Sequence, residues 1–153
     1  MLYPAIILII IAIDQITKLL AYNLMDMRQS IPIIENFLHL TLWTNPGAAF
    51  GILAHQRLFF IVVTILVTVV LGYYIYKLPQ EKWFLKLAFS LQIGGAIGNL
   101  IDRIYLGEVI DFIDFKIWSP IFNVADIAIV VGVALFALDV IVFDTINDKK
   151  EED

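Results

Sequence analysis

The chain is 153 residues long, 61% of them hydrophobic and only 16% charged, which leaves too little polar surface to cover a soluble domain of this size. The net charge of -5 argues against a nucleic-acid partner, and the absence of cysteine excludes a disulfide framework, a thiol nucleophile and a cysteine metal site. His39 and His55 lack a matching ligand spacing, so neither a metal nor a cofactor is expected.

The first apolar run, about Leu2 to Tyr22, has no Lys or Arg ahead of it and no small-residue cleavage pattern after it, so it reads as a retained span and not a cleaved leader. It carries Asp14, Gln15 and Lys18. The segment 23–57 follows. Its "IPIIENFLHLTLWTNPGAAFGIL" is rich in β-branched and aromatic residues, alternates roughly through "HLTLWT" and is broken by the turn signal "NPG", which predicts a small strand-rich unit. A charge-free second span covers 58–75, and the short connection after it holds Lys77, Lys82 and Lys86.

The third span, 83–101, contains "GGAIGN", whose Gly94, Gly95 and Gly98 allow close helix packing or admit a ligand. Segment 102–121 includes "GEVIDFIDF", and the fourth span, 123–143, opens on Asn123 and Asp126. Four spans of about 20 apolar residues put both termini on one side. The lysines of the short connection, with Lys149 and Lys150 in the tail, place that side in the cytoplasm, against Arg28, Arg57, Arg103 and Lys116 opposite. The expected fold is an α-helical polytopic membrane protein, one integral domain over 1–153, with two extracytoplasmic segments at 23–57 and 102–121.

A charge at mid-bilayer costs about 2.5–3.5 kcal/mol, so the polar residues within the spans need an explanation. Residues three or four apart share a helix face, which groups Asn99 with Asp102 and Arg103, Asn123 with Asp126, and Asp14 with Lys18. If the first, third and fourth helices are neighbours, these form one cluster, and the segment 102–121 brings Asp111 and Asp114 to its mouth. Asp14 with Lys18 reads first as a structural pair, Asp102 as a partner of Arg103, Asp114 as a solvated loop residue, and Asp139 and Asp144 as interfacial charges. Asp126 stands apart, about one turn inside the outer end. A second carboxylate beside it would make a pair able to share a proton and polarise a water, one group as base and the other as acid. Spacing alone leaves both Asp102 and Asp111 open as that second carboxylate.

Five blocks settle the choice by likeness. "DQITK" (14–18), "NPGAAFG" (45–51), "GGAIGNLIDR" (94–103), "VIDF" (109–112) and "FNVAD" (122–126), in this order and spacing, resemble the lipoprotein signal peptidase, or signal peptidase II, family. The resemblance implies four transmembrane helices, cytoplasmic termini, an extracytoplasmic β-cradle and a short periplasmic helix. It implies an intramembrane aspartic endopeptidase of the bacterial cytoplasmic membrane, working near the outer leaflet. Its substrates would be prolipoproteins whose cysteine carries diacylglycerol, cut just before that cysteine. It puts the catalytic pair on Asp111 and Asp126, substrate-binding roles on Asn45, Asn99, Arg103 and Asn123, and support of the site on Asp14, Lys18, Asp102 and Gly47. Membrane lipid is the surrounding partner, no cofactor is implied, and the chain is expected to work as a monomer.

Two other classes follow from the same residues. Intramembrane Asp and Asn also serve ion-coupled transport, although four spans without an inverted repeat suit it poorly. A scaffold with purely structural polar contacts would tolerate substitution of both aspartates.

Overall fold

The computed structural model describes residues 2–47, 53–118 and 120–144. Among the described residues, four helices are long and apolar enough to cross a membrane. They are α1 (Leu2–Leu24), α2 (Arg57–Lys77), α3 (Trp83–Tyr105) and α4 (Val124–Leu138), the last continued by a π-helical segment, Asp139–Asp144. At 1.5 Å per residue the 23 residues of α1 or α3 extend about 35 Å, enough to cross the hydrocarbon core. Both helices run a few residues beyond the expected spans. α3 stays helical through Asp102 and Arg103, because those side chains find partners within the protein.

The helices are apolar outward and polar inward. On α1 only Ile10, Asp14, Lys18 and Ala21 are buried, a single stripe at helical spacing, while Leu8, Ile9, Ile16 and Leu20 are exposed to the surroundings. α2 buries nothing fully and packs on α3. α3 is the central helix, touching α1, α2 and α4 and burying ten residues, Lys86, Ser90, Asn99 and Asp102 among them.

Small residues set the α3–α4 distance. A Cβ on Gly95 would collide with the Ala125 carbonyl oxygen, and one on Gly132 would stand 2.6 Å from the Ala88 carbonyl oxygen. Glycine here permits backbone approach between neighbouring helices. Gly94 does the same against Ile10 of α1.

A four-stranded antiparallel sheet caps one end of the bundle: β1 (Ser30–Ile34), β2 (Leu38–Asn45), β3 (Val109–Phe115) and β4 (Ile121–Phe122), in spatial order β1-β2-β3-β4. Asn36, in the left-handed region at φ 59°, turns the β1–β2 hairpin. Leu42, Ile110 and Phe112 pack with Ala21 of α1 and Val124 of α4 and seat the sheet on the helices. The strand-rich unit expected over 23–57 is therefore present, but half of the sheet comes from 102–121. Asp111, expected on a loop, lies on β3. No short helix occurs among the described residues of these two segments.

Candidate active site

Asp111 sits in the middle of β3, cross-strand from Trp43, and Asp126 sits in the first turn of α4. Both line one cavity of about 210 Å3, together with Asn45, Gly47, Asn99 and Arg103 and the apolar walls Val109, Phe122 and Ile129. The pair that the site reading requires is thus at one mouth.

Asn123 ties the two carboxylates together. It is the N-cap of α4: its Oδ1 accepts from the Asp126 backbone N–H at 2.9 Å, and Asp126 Oδ2 accepts from the Asn123 backbone N–H at 3.1 Å. This reciprocal capping box places a carboxylate at the positive end of the helix dipole. The Asn123 side-chain amide donates at 2.6 Å to Asp111 Oδ1 and is shared with Asn99 Oδ1 at 3.1 Å and the Ile110 carbonyl at 3.3 Å. Asn123 is fully buried and does not line the cavity, so its contacts are with the carboxylates and their neighbours.

The remaining oxygens are held separately. Asn45, at the end of β2, donates to Asp111 Oδ2 at 3.3 Å, and its own Oδ1 accepts from the Gly47 N–H at 2.9 Å. Asn99 Nδ2 donates to Asp126 Oδ1 at 2.8 Å. Arg103 donates to the Gly47 carbonyl at 2.9 Å and lies over the Phe60 ring, 4.7 Å from its centroid. Of the "NPGAAFG" block, Ala48 to Gly51 lie outside the described residues.

Behind the cavity lies a buried ionic cluster. Lys18 Nζ is 2.8 Å from Asp14 Oδ2 and 2.8 Å from Asp102 Oδ2, and donates to Asn99 Oδ1 at 2.9 Å. Asp14 Oδ1 accepts from the Ala125 N–H at 2.9 Å, Asp102 Oδ2 accepts from the Ile110 N–H at 3.2 Å, and Gln15 donates to both acids. One cluster therefore pins α1, α3, the start of α4 and the strand that carries Asp111. Gly98 keeps room for it, since a Cβ there would stand 2.6 Å from Asp14 Oδ2.

Burial first, and then the Asp126 carboxylate, push the Asp111 carboxyl up to about 7, against the opposing hydrogen bonds of Asn123 and Asn45 and the Lys18 charge. A carboxyl that exchanges its proton near neutrality, facing a second carboxyl across one cavity, is suited to hydrolytic acid–base work.

Three expectations need correction. Asp102 pairs with Lys18, not with Arg103, because its position on α3 faces α1. Asp114 is no solvated loop residue: it is buried on β3, accepts from Thr41 at 2.6 Å and pairs with Lys116. Three positions from Asp111 along the strand, it points to the other face and stays out of the cavity. Asp139 is buried at 5% exposure and lies 3.8 Å from Lys82, so it is a paired group and not a free interfacial charge; the Asp144 side chain lies outside what is described. Sequence reading missed Phe60, Val109, Phe122 and Ile129, which as ordinary apolar residues carry no signal. It also missed the capping box, although N-x-x-D ahead of an apolar run announces it. Among the described residues no three His, Cys, Asp or Glu are grouped to hold a metal ion.

A family model described as signal peptidase (SPase) II matches residues 6–142. Proteins named lipoprotein signal peptidase are similar along nearly the whole chain. That of Halothermothrix orenii is 49% identical over 133 residues, 87% of this chain and 90% of the relative. That of Brevibacillus brevis is 47% identical over 141 residues, 92% and 95% of the two chains, and that of Desulfitobacterium hafniense DCB-2 is 42% identical over 143 residues, 94% and 95%. Among solved structures, a bacterial membrane enzyme determined by the in meso method at 2.3 Å resolution superposes with a TM-score of 0.88 at 38% identity, covering 95% of this chain and 90% of its own. A second, at 1.9 Å resolution, gives 0.83 at 38% identity over 90% and 91%.

Proposed function

The chain belongs to the signal peptidase II family, and from that premise we propose that Asp111 and Asp126 are the catalytic pair with which it works. It is a membrane-embedded aspartic endopeptidase that cleaves signal peptides from prolipoproteins. The observation that carries the assignment is the one cavity lined by both carboxyls, each tied to Asn123.

The reaction needs one proton on the pair. The charged carboxylate takes a proton from water as its oxygen attacks the scissile carbonyl carbon, and the protonated one gives its proton to the carbonyl oxygen. The tetrahedral intermediate then collapses: the C–N bond breaks, the first carboxyl returns its proton to the leaving nitrogen, and the second recovers one from the intermediate's hydroxyl. Asn45 and Asn123 orient Asp111, Asn99 orients Asp126, and Arg103 holds the Gly47 carbonyl at the cavity wall. Asp14, Lys18 and Asp102 brace the site from behind. The diacylglyceryl group on the substrate cysteine stays in lipid, which helps to fix the scissile bond beside the dyad.

The finer placement is part of the same proposal. Lys77 and Lys82 with Tyr73, Tyr76 and Trp83 form a basic and aromatic belt at the end of the bundle away from the sheet. That belt supports cytoplasmic termini and an active site toward the outer leaflet. Lys149 and Lys150, which share in the charge bias, lie outside the described residues. The chain is read as a monomer, with membrane lipid around α2.

The deciding experiment incubates the purified protein in detergent with a diacylglyceryl-modified and an unmodified prolipoprotein peptide. Cleavage just before the cysteine, confined to the lipidated peptide, is the expected outcome. Intact lipidated peptide would refute the proposal.

A further inference from the structure

A primary amide has nearly the same shape either way round, and only its hydrogen bonds decide which end is oxygen. Asn99 faces that choice beside Asp126. At its Oδ1 end two donors converge, Lys18 Nζ at 2.9 Å and Asn123 Nδ2 at 3.1 Å. The ammonium has no lone pair, so it accepts nothing. Asp111 and the Ile110 carbonyl fix that end of Asn123 as nitrogen, with its two N–H groups shared among three acceptors. The oxygen of Asn99 must therefore face Lys18, which leaves its NH2 for Asp126 Oδ1 at 2.8 Å.

We propose that Lys18 is a positioning residue of the reaction: clamped between Asp14 and Asp102, its ammonium locks the Asn99 amide so that Asn99 can offer Asp126 only a donor. This deepens, and rests on, the assignment of Asp111 and Asp126 as the dyad. With Asn99 reversed, NH2 would meet ammonium and a carbonyl oxygen would meet a carboxylate, two repulsive contacts in a buried place. Lys18 cannot yield, because it is 1% exposed and its three N–H groups have three acceptors: Asp14, Asp102 and Asn99. Its charge also opposes the burial that pushes the Asp111 carboxyl up. A purely structural ion pair would need Asp14 and Asp102 but not the third bond, which alone reaches a side chain that donates to Asp126.

Lys18 also lines a second cavity, about 470 Å3, between α1 and α3, with Gln15, Tyr22, Asn23, Tyr105 and Leu106. The cavity offers a test by chemical rescue, since a small amine can enter it when the side chain is cut back. In Lys18→Ala, cleavage of the lipidated peptide should lose about 100-fold in kcat with KM little changed, the size of effect expected from a mispositioned catalytic group. Propylammonium, which replaces the missing atoms, should restore much of the rate, and 1-propanol, of equal size but uncharged, should not. In an Asn99→Ala background the same change should cost far less, and the amine should give far less gain. Equal losses in both backgrounds, a raised KM with unchanged kcat, or a folded variant indifferent to the amine would overturn the proposal. Should Lys18→Ala not fold, Lys18→Met with Asp14→Asn keeps the net charge of the cluster, and an additive loss with Asn99→Ala overturns the proposal equally. Failure of the dyad assignment would show separately, as Asp111→Asn or Asp126→Asn variants that still cleave the lipidated peptide.

Discussion

The side-chain amide of Asn123 donates to Asp111 Oδ1 at 2.6 Å, and the same residue begins the helix that carries Asp126. One asparagine thus serves two carboxyls by two different parts of itself. Asn123→Ala removes the helix cap and the closest hydrogen bond to Asp111 together. It should lower stability by about 1 kcal/mol through the cap alone and reduce kcat about 100-fold. Thermal unfolding in detergent and a lipopeptide cleavage assay check the two effects separately. A stability loss without an activity loss would mean that Asn123 is a cap and nothing more.

Asp126 has a structural task besides the proposed chemical one, which makes the choice of substitution informative. Asp126→Asn removes the ionisable group and leaves one oxygen where two accept in the wild type, so it can serve the Asn123 N–H or the Asn99 amide but not both. This variant should lose about 1 kcal/mol of stability and about 10^4-fold in kcat, the latter the scale on which members of a catalytic constellation fail. Asp126→Ala, which loses both acceptors, should lose the same activity and more stability. Asp111→Asn should match Asp126→Asn in activity, and Asp111→Asn with Asp126→Asn should be barely slower than either alone, because the pair acts as a unit.

The Asp111 carboxyl at about 7 gives the pH dependence a definite sign. The reaction needs a proton on the pair, so kcat should fall as pH rises above about 7. Asn45 favours the charged form of Asp111 by donating to it, so Asn45→Ala should move this alkaline limb to higher pH while lowering the rate. Stability follows the same ionisation. A carboxyl raised on folding contributes stability in full below its unfolded value near 3.8 and loses it as pH rises through about 7. Asp111→Asn should therefore be no more stable than wild type at pH 4 and distinctly more stable at pH 8. Unfolding midpoints measured at the two pH values decide it.

How far the sequence could be read depended on the kind of signal. The spans were legible because an apolar run of 20 residues has few other uses, and their ends erred by a few residues, most at α3, which Asp102 and Arg103 continue by finding internal partners. The strand β2 was legible from the alternation of "HLTLWT". β3 was not, because "VIDFIDF" is buried on both faces at its centre and its acids, three apart, break a period of two. The convergence of Asp14, Lys18, Asn99, Asp102, Asn123 and Asp126 followed from helical spacing. What spacing could not supply was direction across helices. Asp102 turns toward Lys18 and away from its sequence neighbour Arg103, whose own partners, Gly47 and Phe60, arrive from 56 and 43 residues upstream. The preference for Asp111 over Asp102 came from family likeness; in the fold, Asp102 is occupied by Lys18 and the Ile110 N–H, while Asp111 faces the cavity.

Two glycines in apolar helices make a paired test of whether the small residues of α3 serve the site. Gly98→Ala would place its Cβ 2.6 Å from Asp14 Oδ2 and 3.3 Å from Ala125 Cβ, inside the buried cluster, and the carboxylate cannot withdraw without losing Lys18 or the Ala125 N–H. It should cost roughly 1–3 kcal/mol by overpacking and lower cleavage, since Asp14 and Ala125 position the turn that bears Asp126. Gly72→Ala on α2 meets nothing within 4 Å. There the added methyl should be neutral or stabilise by about 0.5–1 kcal/mol through helix propensity, with activity unchanged. Unfolding midpoint and cleavage rate should both fall in Gly98→Ala and neither should fall in Gly72→Ala, and a Gly98→Ala enzyme as active as Gly72→Ala would show that the cluster tolerates displacement and does not govern the dyad.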